Sequence, residues 1–131
     1  MTVVDASVVA AMILREEGWE RLLKHLKGAT TLNQAFKEAS NAIWKAFRRG
    51  HLSRDEAVRA FDLLKSVMEA LDVRSEAEYL DDAFGISLET GLTVYDSLYL
   101  ALASSERKQL LTLDEDQRRA AEKLNVPVMS I

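Results

Sequence analysis

The segment formed by residues 93–103 constrains the fold most, because it combines good helix formers with almost no charge. Apolar side chains point in nearly every direction around this predicted helix, which is typical of a helix buried inside a domain. Asp96 is the only charged residue in the segment. A buried carboxylate needs donors, a cation or a metal, unless Asp96 or Thr93 serves to cap the first helical turn.

Length and composition indicate one soluble globular domain. The chain has 131 residues, 48% of them apolar and 29% charged, so we predict a single domain over residues 1–131. The absence of cysteine excludes disulfides, thiolate metal sites and a cysteine nucleophile. The apolar start lacks a basic region and contains Asp5, which argues against a signal peptide, and no apolar run is long enough to span a membrane. We therefore expect a cytoplasmic protein without membrane contact.

Charge is distributed unevenly along the chain, which has a net charge of −4. Residues 37–59 contain six Lys or Arg and three Asp or Glu, whereas residues 69–96 contain eight Asp or Glu and one Arg. Such polarity suits a protein that holds cations in one region and meets an anion with another. It is also common on an ordinary solvated surface.

Short apolar runs alternate with helical patterns and predict an α/β fold. Strands are expected at residues 2–4, 30–32, 109–113 and 127–129, while residues 71–73 fit either a strand or a turn. Helices are expected at residues 7–13, 19–26, 33–49, 53–71, 75–91, 93–103 and 114–124, with Ser7, Ser53 and Ser75 as caps. Because hairpin signals are absent, we predict a three-layer α/β/α domain with four or five short parallel strands and about seven helices.

Four acidic residues fall where such a sheet gathers its ligands. Asp5 and Asp114 each follow a predicted strand. Asp96 opens the buried helix, and Glu38 borders the apolar face of the helix at residues 33–49. Each acid also has an ordinary interpretation, as a helix cap or as a surface residue. In one pocket they would repel one another unless divalent cations lay between them, and oxygen ligands favour Mg²⁺ or Mn²⁺ over zinc.

Four segments resemble the motifs of PIN-domain ribonucleases, and most closely those of VapC toxins from toxin–antitoxin pairs. The segments are residues 3–9 (VVDASVV), 38–42 (EASNA), 93–101 (TVYDSLYLA) and 111–114 (LTLD). They occur in the family's order and span the whole chain, and the YDSLYLA sequence is the most specific part. The resemblance implies a PIN-like fold and metal-dependent endonucleolytic cleavage of RNA.

The resemblance also implies a role for each acid. Asp5, Glu38, Asp96 and Asp114 match the catalytic carboxylates that coordinate one or two Mg²⁺ or Mn²⁺ ions in the family. Asp116 matches a further acid that is less regular in the family, so it is a candidate metal ligand only by position.

Supporting residues are expected around these acids. Thr112 matches a hydroxyl position that forms hydrogen bonds in the family's site, and Asn41 fits a common polar position after the glutamate. Ser7 fits a similar supporting role or a helix cap. The candidate contacts for RNA phosphates, or equally for an acidic stretch of an antitoxin, are Lys45, Arg48, Arg49 and Arg54.

The family's partners are RNA, a small inhibitory antitoxin protein and a second copy of the chain in a homodimer. The alternative function is a PIN-like protein-binding module with weak or no nuclease activity. The presence of all four acids favours the nuclease. Phosphatases of the haloacid dehalogenase type fit poorly, because they need a second aspartate where this chain has Ser7. Response-regulator receiver domains fit no better, because they need adjacent acids near the first strand.

Overall fold

The sheet at the centre of the molecule is entirely parallel. The structure is a computed structural model that describes residues 1–130. In these residues the four strands lie in the order β3-β2-β1-β4. Their bounds are β1 (Thr2–Val4), β2 (Thr30–Leu32), β3 (Asp72–Arg74) and β4 (Gln109–Leu111). The predicted α/β class with a parallel sheet is confirmed.

Helices cover both faces of this sheet. Residues 1–130 contain seven α-helices, namely α1 (Ala6–Ile13), α2 (Trp19–Leu26), α3 (Gln34–Arg48), α4 (Arg54–Ala70), α5 (Leu80–Thr90), α6 (Val94–Glu106) and α7 (Glu115–Lys123). Helices α1 to α4 pack against one another, whereas α6 packs against α5, α7 and the strands β1 and β4. The result is the three-layer arrangement predicted from the sequence.

The buried helix expected from the sequence is α6. Residues 97–103 of this helix are buried in succession, and Tyr99, Leu100 and Leu102 are at most 1% exposed. Its first turn is more open, because Tyr95 is 65% exposed. Helix α6 therefore lies in the core but presents its N-terminal end, with Asp96, toward the surface.

The cap of α1 differs from the prediction. Asp5, not Ser7, is the N-cap, and its side chain accepts a hydrogen bond from the backbone N–H of Val8 at 3.2 Å. Because β1 ends at Val4, Asp5 still has extended backbone angles and is the last residue before the helix. Ser7 lies within the first turn of α1, where its hydroxyl donates a hydrogen bond to the Asp5 side chain.

The structure also defines several other boundaries of strands and helices. The undecided segment forms β3, and the expected strand at residues 127–129 is only an isolated bridge between Leu110 and Val128. Pro127 has no N–H to donate, which limits pairing there. The capping box at Ser53 is confirmed, whereas Ser75 caps a short 3₁₀ helix (Glu76–Tyr79) through the N–H of Ala77. In the described part of the chain, no helix is both long and apolar enough to cross a membrane.

Candidate active site

The carboxyl edge of the sheet collects the predicted acids. Asp5 follows β1, and Thr112 follows β4, which lies beside β1. Helix α3 begins just after β2, so Glu38 lies in its second turn. Asp96 lies in the first turn of α6, and Asp114 is the N-cap of α7. Because the carboxyl ends of parallel strands share one edge, these four acids belong to one region of the surface.

Asp5 is the most buried of the four acids, with only 3% of its surface exposed. Its Oδ1 accepts hydrogen bonds from the Ser7 hydroxyl at 2.6 Å and from the Val8 N–H, and its Oδ2 accepts one from the Thr112 hydroxyl. Burial, with a smaller contribution from the charge of Asp96, raises the pKa of Asp5 to about 6, although these donors favour the charged form. These hydrogen bonds therefore hold the carboxylate in one position, although its burial disfavours the charged form.

Glu38 is half-buried on α3 and is bound by a residue of α6. The hydroxyl of Tyr99 donates to Glu38 Oε1 at 2.8 Å. Burial raises the pKa of Glu38, the Tyr99 hydroxyl lowers it, and the charges of Asp96 and Asp5 raise it again. Glu38 is therefore electrostatically coupled to two of the other acids.

Asp96 connects this pair to Asp114. Burial raises the pKa of Asp96, and the charge of Asp114 raises it further, while a hydrogen bond with the Thr93 side chain lowers it. Asp114 caps α7 through Oδ1, which accepts from the N–H groups of Asp116 at 2.9 Å and Gln117 at 3.1 Å. Within residues 1–130 its Oδ2 receives no hydrogen bond, so that oxygen is free to bind water or a cation.

The donor set suits a hard divalent cation that keeps part of its water shell. Among residues 1–130, none of the ion pairs involves Asp5, Glu38, Asp96 or Asp114, although these carboxylates repel one another. In the same residues, no three His, Asp or Glu side chains are close enough to enclose a metal by themselves. Mg²⁺ is commonly bound by one or two carboxylates together with water and phosphate oxygens, which this open arrangement permits.

The supporting residues divide into two groups. Thr112 is fully buried, donates to Asp5 and accepts from the N–H of Asp114 at 3.0 Å, while Ser7 donates to Asp5 and accepts from the N–H of Leu113. Asn41 instead is exposed and lines a groove between α3 and α4. It has no hydrogen bond to the acids within residues 1–130, so the structure does not support the role expected for it.

The further acid predicted as a metal ligand has a different partner. Asp116 is exposed and forms an ion pair with Arg119, one turn later on α7. Its charge still raises the pKa of Asp96, after the larger effects of burial and Asp114. Asp116 therefore acts on the site through its charge in this structure.

The predicted basic contacts do not form a single patch. Arg48 lies over the ring of Trp44 at 5.8 Å, and Arg54 lines an apolar pocket of about 340 Å³ between α3 and α4. Lys45 and Arg49 line a separate pocket of about 450 Å³. The four cations face two different surfaces, because Lys45, Arg48 and Arg49 lie around the C-terminal end of α3 whereas Arg54 begins α4.

Three polar residues around the acids were not identified from the sequence, namely Gln34, Tyr99 and Gln117. Each is at most 3% exposed and each forms a hydrogen bond within or beside the site. Tyr99 lies inside the most specific motif, but it looked like one of several core residues of α6. The two glutamines gave no signal, because glutamine is common on helix surfaces.

Substituting Tyr99 with phenylalanine tests its bond to Glu38. We expect the pKa of Glu38 to rise further, because the charged form loses a donor, and the free energy of unfolding to fall by about 1.5 kcal/mol at neutral pH. Carboxyl ¹³C shifts followed by NMR and urea unfolding measure the two effects. Tyr95→Phe is the matched control, because that side chain is 65% exposed. Equal losses in both variants would contradict the role of the bond.

Comparison with known proteins identifies the family of this chain. The PIN domain family matches residues 2–123. The chain is 44% identical over 124 residues to Ribonuclease VapC3 of Pyrobaculum aerophilum, covering 92% of each protein. It is 33% identical over 113 residues to Exonuclease VapC9 of the same organism, covering 86% of this chain and 80% of that protein.

A solved structure shows the same fold. The crystal structure of PAE2754 from Pyrobaculum aerophilum matches with a TM-score of 0.72 at 31% identity, covering 92% of this chain and 87% of that one. The family match, the sequence relatives and this fold together show that the chain belongs to the PIN-domain family and, within it, to the VapC group.

Proposed function

We propose that this chain is a metal-dependent endoribonuclease that hydrolyses RNA phosphodiester bonds and acts as the toxin of a VapBC-type pair. The supporting observation is the mutual repulsion of Asp5, Glu38 and Asp96 at one edge of the sheet, without a cationic partner in residues 1–130. The relatives named Ribonuclease VapC3 and Exonuclease VapC9 support nucleic acid as the substrate class.

The four carboxylates Asp5, Glu38, Asp96 and Asp114 are the residues that would hold one or two Mg²⁺ or Mn²⁺ ions. When bound there, such an ion would supply a lowered pKa for an attacking water and positive charge opposite the phosphate. The all-oxygen donor set and the absence of ion pairs to these acids within residues 1–130 support this choice of metal.

The hydrogen bonds of each acid indicate its role in the proposed reaction. Both oxygens of Asp5 are engaged by protein donors, so Asp5 acts as a fixed holder of charge. Asp114 keeps Oδ2 free of hydrogen bonds from residues 1–130, so that oxygen is available to orient an attacking water. Glu38, held at Oε1 by Tyr99, completes the negative region on the side of α3.

The partners follow from the same proposal. RNA is the substrate, and a cognate antitoxin protein would restrain the cleavage. A homodimer remains a prediction. The alternative is a protein-binding module without nuclease activity. We do not favour it, because it does not explain why acids that repel one another lie together.

A circular single-stranded RNA tests the proposal, because it has no ends for an exonuclease. We expect wild-type protein with Mn²⁺ to open the circle, EDTA to prevent this, and renewed Mn²⁺ to restore it. Degradation of linear RNA alone would indicate an exonuclease, as in the name of the VapC9 relative. An intact circle and intact linear RNA in the presence of either metal would contradict the nuclease assignment.

A further inference from the structure

We propose that Gln34 and Gln117 are positioning residues that hold the first turn of α6, and therefore Asp96, in the place that cation binding requires. This inference rests on the proposed function, since it assumes that Asp96 and its neighbours bind a divalent ion. Both glutamines are buried, at 3% and 0% exposed, and each donates to a different backbone carbonyl of that turn.

Gln34 makes one of two hydrogen bonds that join α3 and α6. As the first residue of α3, its Nε2 donates to the carbonyl oxygen of Tyr95 at 2.8 Å. One turn further along both helices, Tyr99 of α6 donates to Glu38 of α3 at 2.8 Å. Two hydrogen bonds of opposite direction thus join the first two turns of α3 to the first two turns of α6. This link fixes the position of Asp96 relative to Glu38.

Gln117 makes the equivalent link from α7. Its Nε2 donates to the carbonyl oxygen of Asp96 at 3.2 Å, and its backbone N–H donates to Asp114 Oδ1 at 3.1 Å. Its Oε1 lies 3.4 Å from the hydroxyl of Thr112, which donates to Asp5. This single buried residue therefore contacts the surroundings of three acids, one just after β1, one in α6 and one at the N-cap of α7.

These bonds are not needed to satisfy the carbonyl oxygens. Both carbonyls belong to α6, where each already accepts from the N–H four residues later. A buried amide costs desolvation, and an apolar side chain of similar size would fill the space without that cost. The extra bonds instead tie the first turn of α6 to α3 and α7. Groups that bind a ligand have to be held within about 0.5 Å of their productive positions.

Calorimetric titration of the full chain with Mn²⁺ tests the inference. Gln34→Met and Gln117→Met keep the volume and remove the donor. We expect each to raise the Kd for Mn²⁺ by about tenfold or more, as is typical when a group that supports metal ligands is lost. Ile43→Val is the control, because Ile43 is buried on α3 and the change mildly destabilises the core without touching the acids.

The outcomes separate the inference from the function on which it rests. If wild-type protein does not bind Mn²⁺, the proposed function fails and this inference fails with it. If wild-type protein binds Mn²⁺ but the glutamine variants lose only thermal stability, as Ile43→Val does, the glutamines are structural and the inference alone is overturned. Should the methionine variants not fold, Gln34→Asn and Gln117→Asn shorten the side chain, withdraw the amide and carry the same expectation.

Discussion

Replacing Asp96 with asparagine is expected to reduce RNA cleavage at least about a hundredfold. Asp96 is the acid whose charge acts on both Asp5 and Glu38, and it is itself acted on by Asp114. In the proposed mechanism, loss of its charge would weaken the binding of a cation that would stabilise the transition state by several kcal/mol. Each 1.4 kcal/mol corresponds to a factor of about ten in rate, so a hundredfold loss is a low estimate.

The fold should survive this change. Thr93, not Asp96, is the N-cap of α6, and its side chain accepts from the backbone N–H of residue 96, which asparagine retains. Asp82→Asn is the matched control, because Asp82 is an exposed acid in the first turn of α5. Single-turnover cleavage of a labelled RNA with Mn²⁺ gives the comparison. Equal rates for wild type and Asp96→Asn would indicate a contaminating nuclease or a wrongly placed site.

Replacing Asp5 with asparagine is expected to stabilise the metal-free protein by up to about 3 kcal/mol above pH 7. Folding raises the pKa of Asp5 from 3.8 to about 6, so the folded state holds a proton that the unfolded state has lost. Two pKa units correspond to about 3 kcal/mol. The asparagine side chain can keep the bonds from Ser7 and Val8, and the Thr112 hydroxyl can turn to donate to Gln117 Oε1 at 3.4 Å.

The sign of the pH dependence follows from the two pKa values. Below about pH 4 the carboxyl is protonated in both states, so wild type carries no penalty there. Between pH 4 and 6 the stability of wild type falls as the pH rises, and above pH 6 the full penalty persists. The asparagine variant lacks this titration, so its advantage should be absent near pH 4 and largest above pH 7. Urea unfolding in EDTA at several pH values measures it.

Divalent ions should offset most of the difference in stability between wild type and Asp5→Asn. Added Mn²⁺ stabilises only the state that binds it, by about 2.7 kcal/mol at a hundred times its Kd. Wild type should gain this stability, and Asp5→Asn should gain less. A destabilisation of Asp5→Asn that is the same at pH 5 and pH 8, or an equal response of both proteins to Mn²⁺, would contradict the account.

The sequence predicted the layers of the fold because those depend on strong local patterns. The β-branched run at Thr2–Val4 and the uncharged segment of α6 each have one plausible place in an α/β domain. The edge strand β3 could not be decided, because Asp72 and Arg74 are polar and the strand forms through its pairing with β2. Long-range pairing of this kind leaves little local signal.

The acids of the candidate site could be proposed from the sequence, but the groups that hold them could not. Asp5 and Asp114 are recognisable as acids after buried strands. Gln34 and Gln117 could not be identified, because each depends on a carbonyl 61 or 21 residues away in the chain. The burial that gives them a role arises only when α3, α6 and α7 meet at the edge of the sheet.

The most direct test of the central claim is the position of a bound Mn²⁺ ion, observed through paramagnetic broadening of backbone NMR signals. At substoichiometric Mn²⁺, we expect the amides of Asp5, Glu38, Asp96 and Asp114 to broaden first, followed by their neighbours at the carboxyl edge of the sheet. Broadening centred instead on the acidic first turn of α5, at Asp81 and Asp82, would contradict the account.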